Sequence, residues 1–240
     1  EDLRDNVAHK LAGHDPDRVH VIPNFVDTER IVPGDRMTDY RREFALGDAT
    51  VVMYAGNVGM SQSLDLLVAA ARRFRDRTDV AFVVNGGGSA IDDLRRSAEG
   101  LDNLTFVDMQ PRERLAEVLA TADVHVIPLR KGLARSSVPS KLYSILAAGR
   151  PVLASVDAGT EVARTLETAG AGRAVAPEDP EAFCVALQKL LDSPEERAAM
   201  GGSGRRFVTE WASPDGVAGS YEALFEQLCS RTSRSSPRRC

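Results

Sequence analysis

The stretch SSVPSKLYSILAAGRPVLAS, residues 136–155, puts a lysine, Lys141, on the first turn of an apolar helical segment. The partial positive charge at a helix N-terminus disfavours a cation there by roughly 0.3 kcal/mol or more. An anion would resolve the conflict. From Val124 through Val156 there is no Asp or Glu, yet Arg130, Lys131, Arg135, Lys141 and Arg150 all fall in that span. This reverses the sign of a chain whose 35 acidic residues outnumber its 30 Lys and Arg and whose net charge is −5. A phosphate group at the turn is stabilised by Lys141 and the helix terminus together, and screens their repulsion. Ser136, Ser137 and Ser140 add hydroxyl donors, Pro139 stiffens the approach, and Ser140 fits an N-cap. The competing reading leaves Lys141 bent into solvent and the arginines on a wetted surface. Arg150, in AAGRPV at a helix exit, reads as a structural cap on carbonyl groups.

Three other places carry residues of the right type. In AGNVGMSQS, Gly56 and Gly59 flank Asn57 and let backbone approach an anion ahead of a helix. The spacing fails the dinucleotide fingerprint, the next strand ends in Asn85 instead of an acid, and no Gly-Lys-Ser/Thr follows. Plain turn geometry explains the loop as well. NGGGS, with Gly86 and Gly87, admits a flat ligand or is a flexible turn. Glu161, after DAGT, points at the same rim or simply opens a helix. His125 lies inside an apolar strand and reads as a core histidine, while His9, His14 and His20 show no ligand spacing. Cys184, Cys229 and Cys240 form no CxxC pair, so neither a metal nor a disulfide is expected and a reducing cytosol is the default.

These loops are positioned by a regular alternation. VVMY, VAFVVN, NLTFVD, VHVIPL, PVLAS and RAVAP read as strands. Between them lie helical segments such as SLDLLVAAARRF, where Leu64, Leu67, Val68 and Ala71 share one face. PRERLAEVLATA reads as a helix opened by Pro111. About six strands alternating with helices predict a Rossmann-like parallel α/β sheet covered on both faces, with AGNVG, NGGGS and the 129–141 loop at the carboxyl ends of strands. Residues 41–228 form that domain. Residues 1–40 read as one strand and an extended connector from the end of a preceding domain, and 229–240 as a disordered basic tail. Solvation is the favoured reading of the tail, and grazing contact with an anionic membrane the other. Net acidity argues against nucleic acid as a partner. No apolar run is long enough to span a bilayer, and the opening at Glu1 reads as the middle of a longer polypeptide.

In order and sequence, VIPNFVDTERIVP, VVMYAGNVGMSQSLDLLVAAARRF, FVVNGGGSAIDDLRR, NLTFVDMQPRERLAEVLATADVHVIPL and SVPSKLYSILAAGRPVLAS…GTEVARTLETAGAGRAVAPEDPEAF resemble the C-terminal half of bacterial family-four glycosyltransferases, over about residues 19–228. The resemblance implies a GT-B fold, with this half binding a nucleotide diphosphate-sugar donor without a metal and no other cofactor. It implies retention of anomeric configuration, although no nucleophilic carboxylate pair can be assigned. It places AGNVG, with Gly56, Asn57 and Gly59, near the diphosphate, and both NGGGS, with Gly86 and Gly87, and VDMQPR, with Met109, near the base. Arg135, Ser136, Ser137, Ser140 and Lys141 would meet ribose and phosphates, with Lys141 in the catalytic role, and Glu161 would meet the sugar. A glycan or lipid-linked acceptor would be held by the other half, so this chain alone is expected to bind but not transfer; the expected location is the cytoplasm, with the inner face of the plasma membrane as the alternative. Two glutamates common in the family fall on Ser136 and Ser144, and an Arg and a Lys of the first loop on Asn57 and Gln62. The GNVG…SVPSK pattern is similar to a subgroup that builds cell-surface polysaccharide, often from UDP-linked sugars, which makes UDP the expected nucleotide. A nucleotide-binding module without catalysis and half of a sugar-nucleotide epimerase remain the alternatives.

Overall fold

The computed structural model describes residues 2–11, 19–133 and 139–235. Its six strands are all parallel: β1 (Thr50–Ala55), β2 (Val80–Asn85), β3 (Leu104–Val107), β4 (Val124–Pro128), β5 (Val152–Ser155) and β6 (Gly172–Val175). Their spatial order is β3-β2-β1-β4-β5-β6, so the chain builds outward from β1 in one direction and then returns to its other side. Ten helices flank the sheet or extend from it among the described residues: α1 (Asp2–Lys10), α2 (Asp39–Glu43), α3 (Asp65–Arg73), α4 (Ile91–Ser97), α5 (Leu115–Thr121), α6 (Lys141–Ala147), α7 (Glu161–Ala169), α8 (Pro180–Leu191), α9 (Pro194–Trp211) and α10 (Pro214–Ser235). None is long and apolar enough to cross a membrane.

Successive strand residues face opposite sides, and different helices fill the two sides. Val52, Tyr54, Phe82, Val84, Val126 and Leu153 pack with Leu67 of α3, Leu94 of α4 and Leu187 of α8. On the other side Val51, Met53, Val83 and Val107 meet Tyr40 and Val118, while Ile127, Val152 and Ala154 meet Leu142, Ile145, Val162 and Val208. Burying a side chain of this size stabilises the fold by about 1.5–3 kcal/mol, which is why a sheet covered on both faces reads as near-continuous apolar runs.

Four sequence expectations are corrected. The strand expected within residues 19–31 does not form. Its backbone groups are taken elsewhere: Val26 N–H donates to Ala212 O (2.9 Å), and the Arg205 guanidinium of α9 donates to Thr28 O (2.8 Å) and Ile31 O (2.7 Å). Val26 and Ile31 are buried in the α6–α9 cluster, so the connector is strapped to helices instead of joining a sheet edge. The segment after Pro111 begins as a 3-10 turn, Arg112–Arg114, before α5. Ser140 does not cap α6. Its backbone is already helical (φ −55, ψ −26), whereas a capping side chain needs extended backbone to reach the amides ahead of it. The tail expected to be disordered from residue 229 is helical to Ser235, because the Leu-, Glu- and Gln-rich run before it propagates the helix and Ser230 Oγ donates back to Gln227 O (2.9 Å). Residues 236–240 lie outside the described residues.

One buried ion pair fastens α2 to the sheet. Arg41, 1% exposed, donates to Asp123 Oδ2 (2.7 Å) and to the carbonyls of Thr121 (2.8 Å), Gly47 (2.9 Å) and Ala49 (2.7 Å). The same Asp123 oxygen accepts the Val51 N–H of β1 (2.8 Å) and pairs with Arg36 (3.2 Å). Removing one partner of such a pair strands a charge, at about 3–5 kcal/mol. Asp123→Ala should therefore lose about that much stability in urea titration; a loss under about 1 kcal/mol would mean water solvates Arg41 in the folded state.

Candidate functional site

Where the chain turns back across β1, a cavity of about 490 Å³ opens at the carboxyl ends of the strands. Its floor is Ala55, Gly56 and Asn85 at the ends of β1 and β2. One wall is Met109 to Arg112 with Leu115, Val118 and Leu119 of α5, and the other is Ser140, Lys141, Ser144 and Ile145. Lys141 and Arg112 line it, and among the described residues no Asp or Glu does.

Lys141 Nζ lies 3.9 Å from the centroid of the Tyr54 ring, a cation–π contact. Burial pushes its pKa down from 10.5 to about 8, and no carboxylate pairs with it among the described residues. The lysine fits because residue 56 is glycine: at φ +139, a Cβ on Gly56 would stand 2.6 Å from Lys141 Nζ. The Tyr54 hydroxyl donates to Asn57 O (2.5 Å), holding the ring that carries the ammonium, and burial raises its pKa. Below, Tyr40 donates its hydroxyl to Asn85 Oδ1 (2.8 Å), and Asn85 O accepts the Gly56 N–H (2.9 Å).

The first two glycine loops are bound to each other. A Cβ on Gly86 would fall 1.9 Å from Gly56 O, so this glycine serves the contact between loops. The amides of Gly56, Val58 and Gly59 are committed to Asn85 O, Gly87 O (2.8 Å) and Gln62 Oε1 (2.9 Å), leaving Asn57 as the unpartnered amide of that run among the described residues. Asn57 is exposed and Gly87 partly so, but neither lines the cavity. Gly59 lines a separate small pocket of about 140 Å³ with Gln62, Asp65 and Arg130.

The basic stretch separates by position. Arg130 is held away from the cavity, donating to Met60 O (2.9 Å) and pairing with Glu178 (3.2 Å). Arg150 donates to Gly34 O (2.8 Å) and Ala120 O (2.6 Å), the structural part expected of it. Lys131 is exposed and outside the cavity lining. Arg135, Ser136 and Ser137 lie outside the described residues, as does His14. Lys141 is thus the one cation of that stretch found in the cavity among the described residues. Ser140, uncommitted to a cap, lines it too, and Met109 stands exposed at its rim. Glu161 opens α7, pairs with Arg164 (2.9 Å) and lies outside the cavity lining. Its charge adds to burial in pushing the Tyr143 pKa up to about 12. His125 is a core residue: its Nε2 meets Leu119 O (3.0 Å), and burial pushes its pKa down to about 4.

Asn85, Gln110 and Arg112 lie in the segments NGGGS and VDMQPR that the resemblance puts near the base, without being singled out as site residues, whereas Ser144 and the apolar wall of α5 were not expected as ligand contacts. Arg112 sits in PRER, where a basic residue at a helix start reads as solvated surface. Its place at the carboxyl end of a strand was the available signal.

The strand order, the two-sided core and the cavity at the reversal define a Rossmann-like α/β domain. The chain belongs to the family described as Glycosyl transferases group 1, whose model matches residues 49–193. It is 33% identical over 147 residues to the putative colanic acid biosynthesis glycosyl transferase WcaI of Escherichia coli, covering 60% of this chain and 36% of that one. It is 30% identical over 197 residues to a GDP-mannose-dependent alpha-(1-6)-phosphatidylinositol monomannoside mannosyltransferase of Mycolicibacterium smegmatis, covering 79% and 51%. It therefore spans about half or less of the relatives it matches. Among solved structures, HepE of Anabaena with UDP superposes with TM-score 0.74 at 14% identity, covering 93% of this chain and 61% of that one. The C-terminal domain of the group 1 protein LpcC of Francisella tularensis superposes with TM-score 0.67 at 17% identity, covering 79% and 99%. The family and the GT-B C-terminal fold expected from the sequence are those found.

An ammonium desolvated without a counter-charge opposes folding. The folded state holds this proton less tightly than the unfolded chain, so the penalty is complete below pH 8 and fades as pH rises toward 10.5. Lys141→Met should raise stability by about 1–3 kcal/mol at pH 7, and urea titrations repeated toward pH 10 should show the gap closing. A destabilised variant would mean the ammonium is better solvated than its surroundings indicate.

Proposed function

We propose that this chain is the donor-binding half of a retaining glycosyltransferase that takes a nucleotide diphosphate-sugar, with UDP as the expected nucleotide, and serves a cell-surface polysaccharide or glycolipid acceptor. The observation that carries the reading is the cavity at the strand-order reversal, which in a net-acidic chain presents Lys141 and Arg112 and, among the described residues, no acid. The diphosphate belongs beside Lys141 at the ends of β1 and β4, where the ammonium rests on the Tyr54 ring and no carboxylate pairs with it among the described residues. When the bond from the anomeric carbon to the β-phosphate oxygen breaks, its electron pair goes to the diphosphate. A pre-placed cation in a site of low polarity stabilises that charge, and losing one such donor typically lowers the rate by about 100-fold. Asn57, Gly59, Gly86, Gly87 and Glu161, which do not line the cavity, enter this proposal only as its surroundings. The acceptor side is assigned to a second half, which the greater length of the curated relatives supports, and the family relationship supports transfer as the whole protein's chemistry.

Calorimetric titration of the chain with UDP, GDP and ADP in EDTA tests the reading. UDP should bind without metal, and Lys141→Ala should weaken it by about 10-fold or more. A bound diphosphate favours the ammonium, so affinity should hold steady below about pH 8 and then fall by up to about tenfold per pH unit. GDP binding in preference to UDP would reassign the base, and the name of the mycobacterial relative makes GDP the competing arm. No binding to this chain or to its full-length form would overturn the donor-site reading. Binding without turnover in the full-length form would favour a module that has lost catalysis.

A further inference from the structure

We propose that Lys141 is a site of covalent modification, forming an imine with an aldehyde that carries a phosphate group. The inference uses the same cavity as the donor-site reading but does not depend on it. The chain holds only four lysines, Lys10, Lys131, Lys141 and Lys189, among its 30 Lys and Arg. Arginine supplies the cations that tie the interior together, among them Arg41, Arg150 and Arg205. An arginine cannot give up its proton in a protein, and so cannot act as a nucleophile. Lys10, Lys131 and Lys189 are exposed, whereas Lys141 lines the cavity.

The surroundings of Lys141 favour the free amine. Its Nζ rests on the Tyr54 ring of β1, and the Tyr54 hydroxyl is spent on Asn57 O (2.5 Å) and kept protonated by burial. His125 of β4, within electrostatic reach, is neutral because burial lowers its pKa to about 4. Arg112 on the opposite wall is a second cation, and no carboxylate pairs with the lysine among the described residues. With its pKa near 8, about one Lys141 in ten is uncharged at pH 7. A solvated lysine of pKa about 10.4 is uncharged about once in 2,500. An apolar pocket and a cationic neighbour are two ways by which proteins ready a lysine for attack on a carbonyl.

The chemistry needs no partner beyond the aldehyde. The Nζ lone pair attacks the carbonyl carbon, and the C=O π pair moves to oxygen. The two amine hydrogens leave with that oxygen as water, and a C=N bond remains; nothing is oxidised or reduced. Ser140 and Ser144, which also line the cavity, carry hydroxyls able to relay the protons. The lining sets the class of aldehyde. The Arg112 guanidinium has no hydrogen-bond or ion-pair partner among the described residues, whereas Arg114 is held by Glu43 (2.9 Å) and Glu117 (2.9 Å). An anionic arm on the aldehyde therefore meets a free cation and no acid. Leu115, Val118, Leu119 and Ile145 offer apolar surface to a ring, and about 490 Å³ is room for a small molecule.

The test treats the unaltered chain with pyridoxal 5'-phosphate, or with pyridoxal, which lacks the phosphate. Borohydride fixes the imine, and peptide mass spectrometry locates it. Lys141 should be labelled about tenfold or more faster than Lys10, Lys131 or Lys189, and about tenfold more slowly by pyridoxal. Its rate of labelling should climb to about pH 8 and level off above. Labelling spread evenly over the four lysines, equal labelling of Lys141 by the two aldehydes, or a rate still climbing at pH 10 would each overturn the proposal. UDP and GDP, added in separate runs, keep the two readings apart. Protection of Lys141 by either nucleotide supports both. Selective labelling that neither nucleotide slows leaves the imine site standing and counts against the donor site.

Discussion

The chain leaves β1 toward β2 and β3 and then crosses back to lay down β4 on the other side of β1. The helix after β1, α3, packs on one face of the sheet and the helix after β4, α6, on the other, which leaves a crevice at the reversal. The cavity is a consequence of topology before it is a matter of side chains. What the sequence adds is its lining: glycine where strands end, an apolar wall from α5, and two cations delivered by turns from opposite directions.

Within that gap, stability and function pull against each other. Lys141 is carried on an otherwise apolar helix and set against an aromatic face, with burial opposing its charge and no carboxylate to offset it among the described residues. Such an arrangement persists when the missing counter-charge arrives with a ligand. Arg41 shows the opposite solution. It is more deeply buried, yet Asp123 and three carbonyls answer it, and its task is to hold α2 and the connector against the start of β1. The two residues carry the same formal charge; their partners distinguish a fastener from a site.

The sheet was legible because period and composition change together. Runs such as VVMY and VAFVVN can only be buried strands, and the helices between them keep one apolar face. The connector misled because VHVIPNFVDTERI opens with strand-like composition, while its backbone partners are the end of α9, at Val26, and an arginine 174 positions away, at Ile31, which no local pattern discloses. Ser140 has a capping residue's chemistry but helical dihedrals, and dihedrals are not written in residue type. Lys141 could be singled out from charge and position. Arg112 could not, because an unpaired arginine and a paired one look alike until their neighbours are known: PRER contains both kinds, Arg112 open and Arg114 locked to two glutamates. Gly86 gave a third kind of difficulty. A glycine that admits a ligand and one that admits a neighbouring loop have the same letter, and only the position of Gly56 O separates them.

The seat of Lys141 has an unusual dependence. It is made by what residue 56 lacks, since the ammonium occupies nearly the volume in which a first side-chain carbon would stand. Most binding sites are damaged by deletion, when a donor or a packing atom is taken away. This one is open to damage by addition, with every polar group still in the chain: a methyl at position 56 would stand 2.6 Å from the ammonium at a φ of +139 that side chains rarely adopt, and the end of Lys141 would have to shift. Drift at that codon would therefore disturb the seat of Lys141 without touching any residue that a search for charged or hydrogen-bonding groups would inspect.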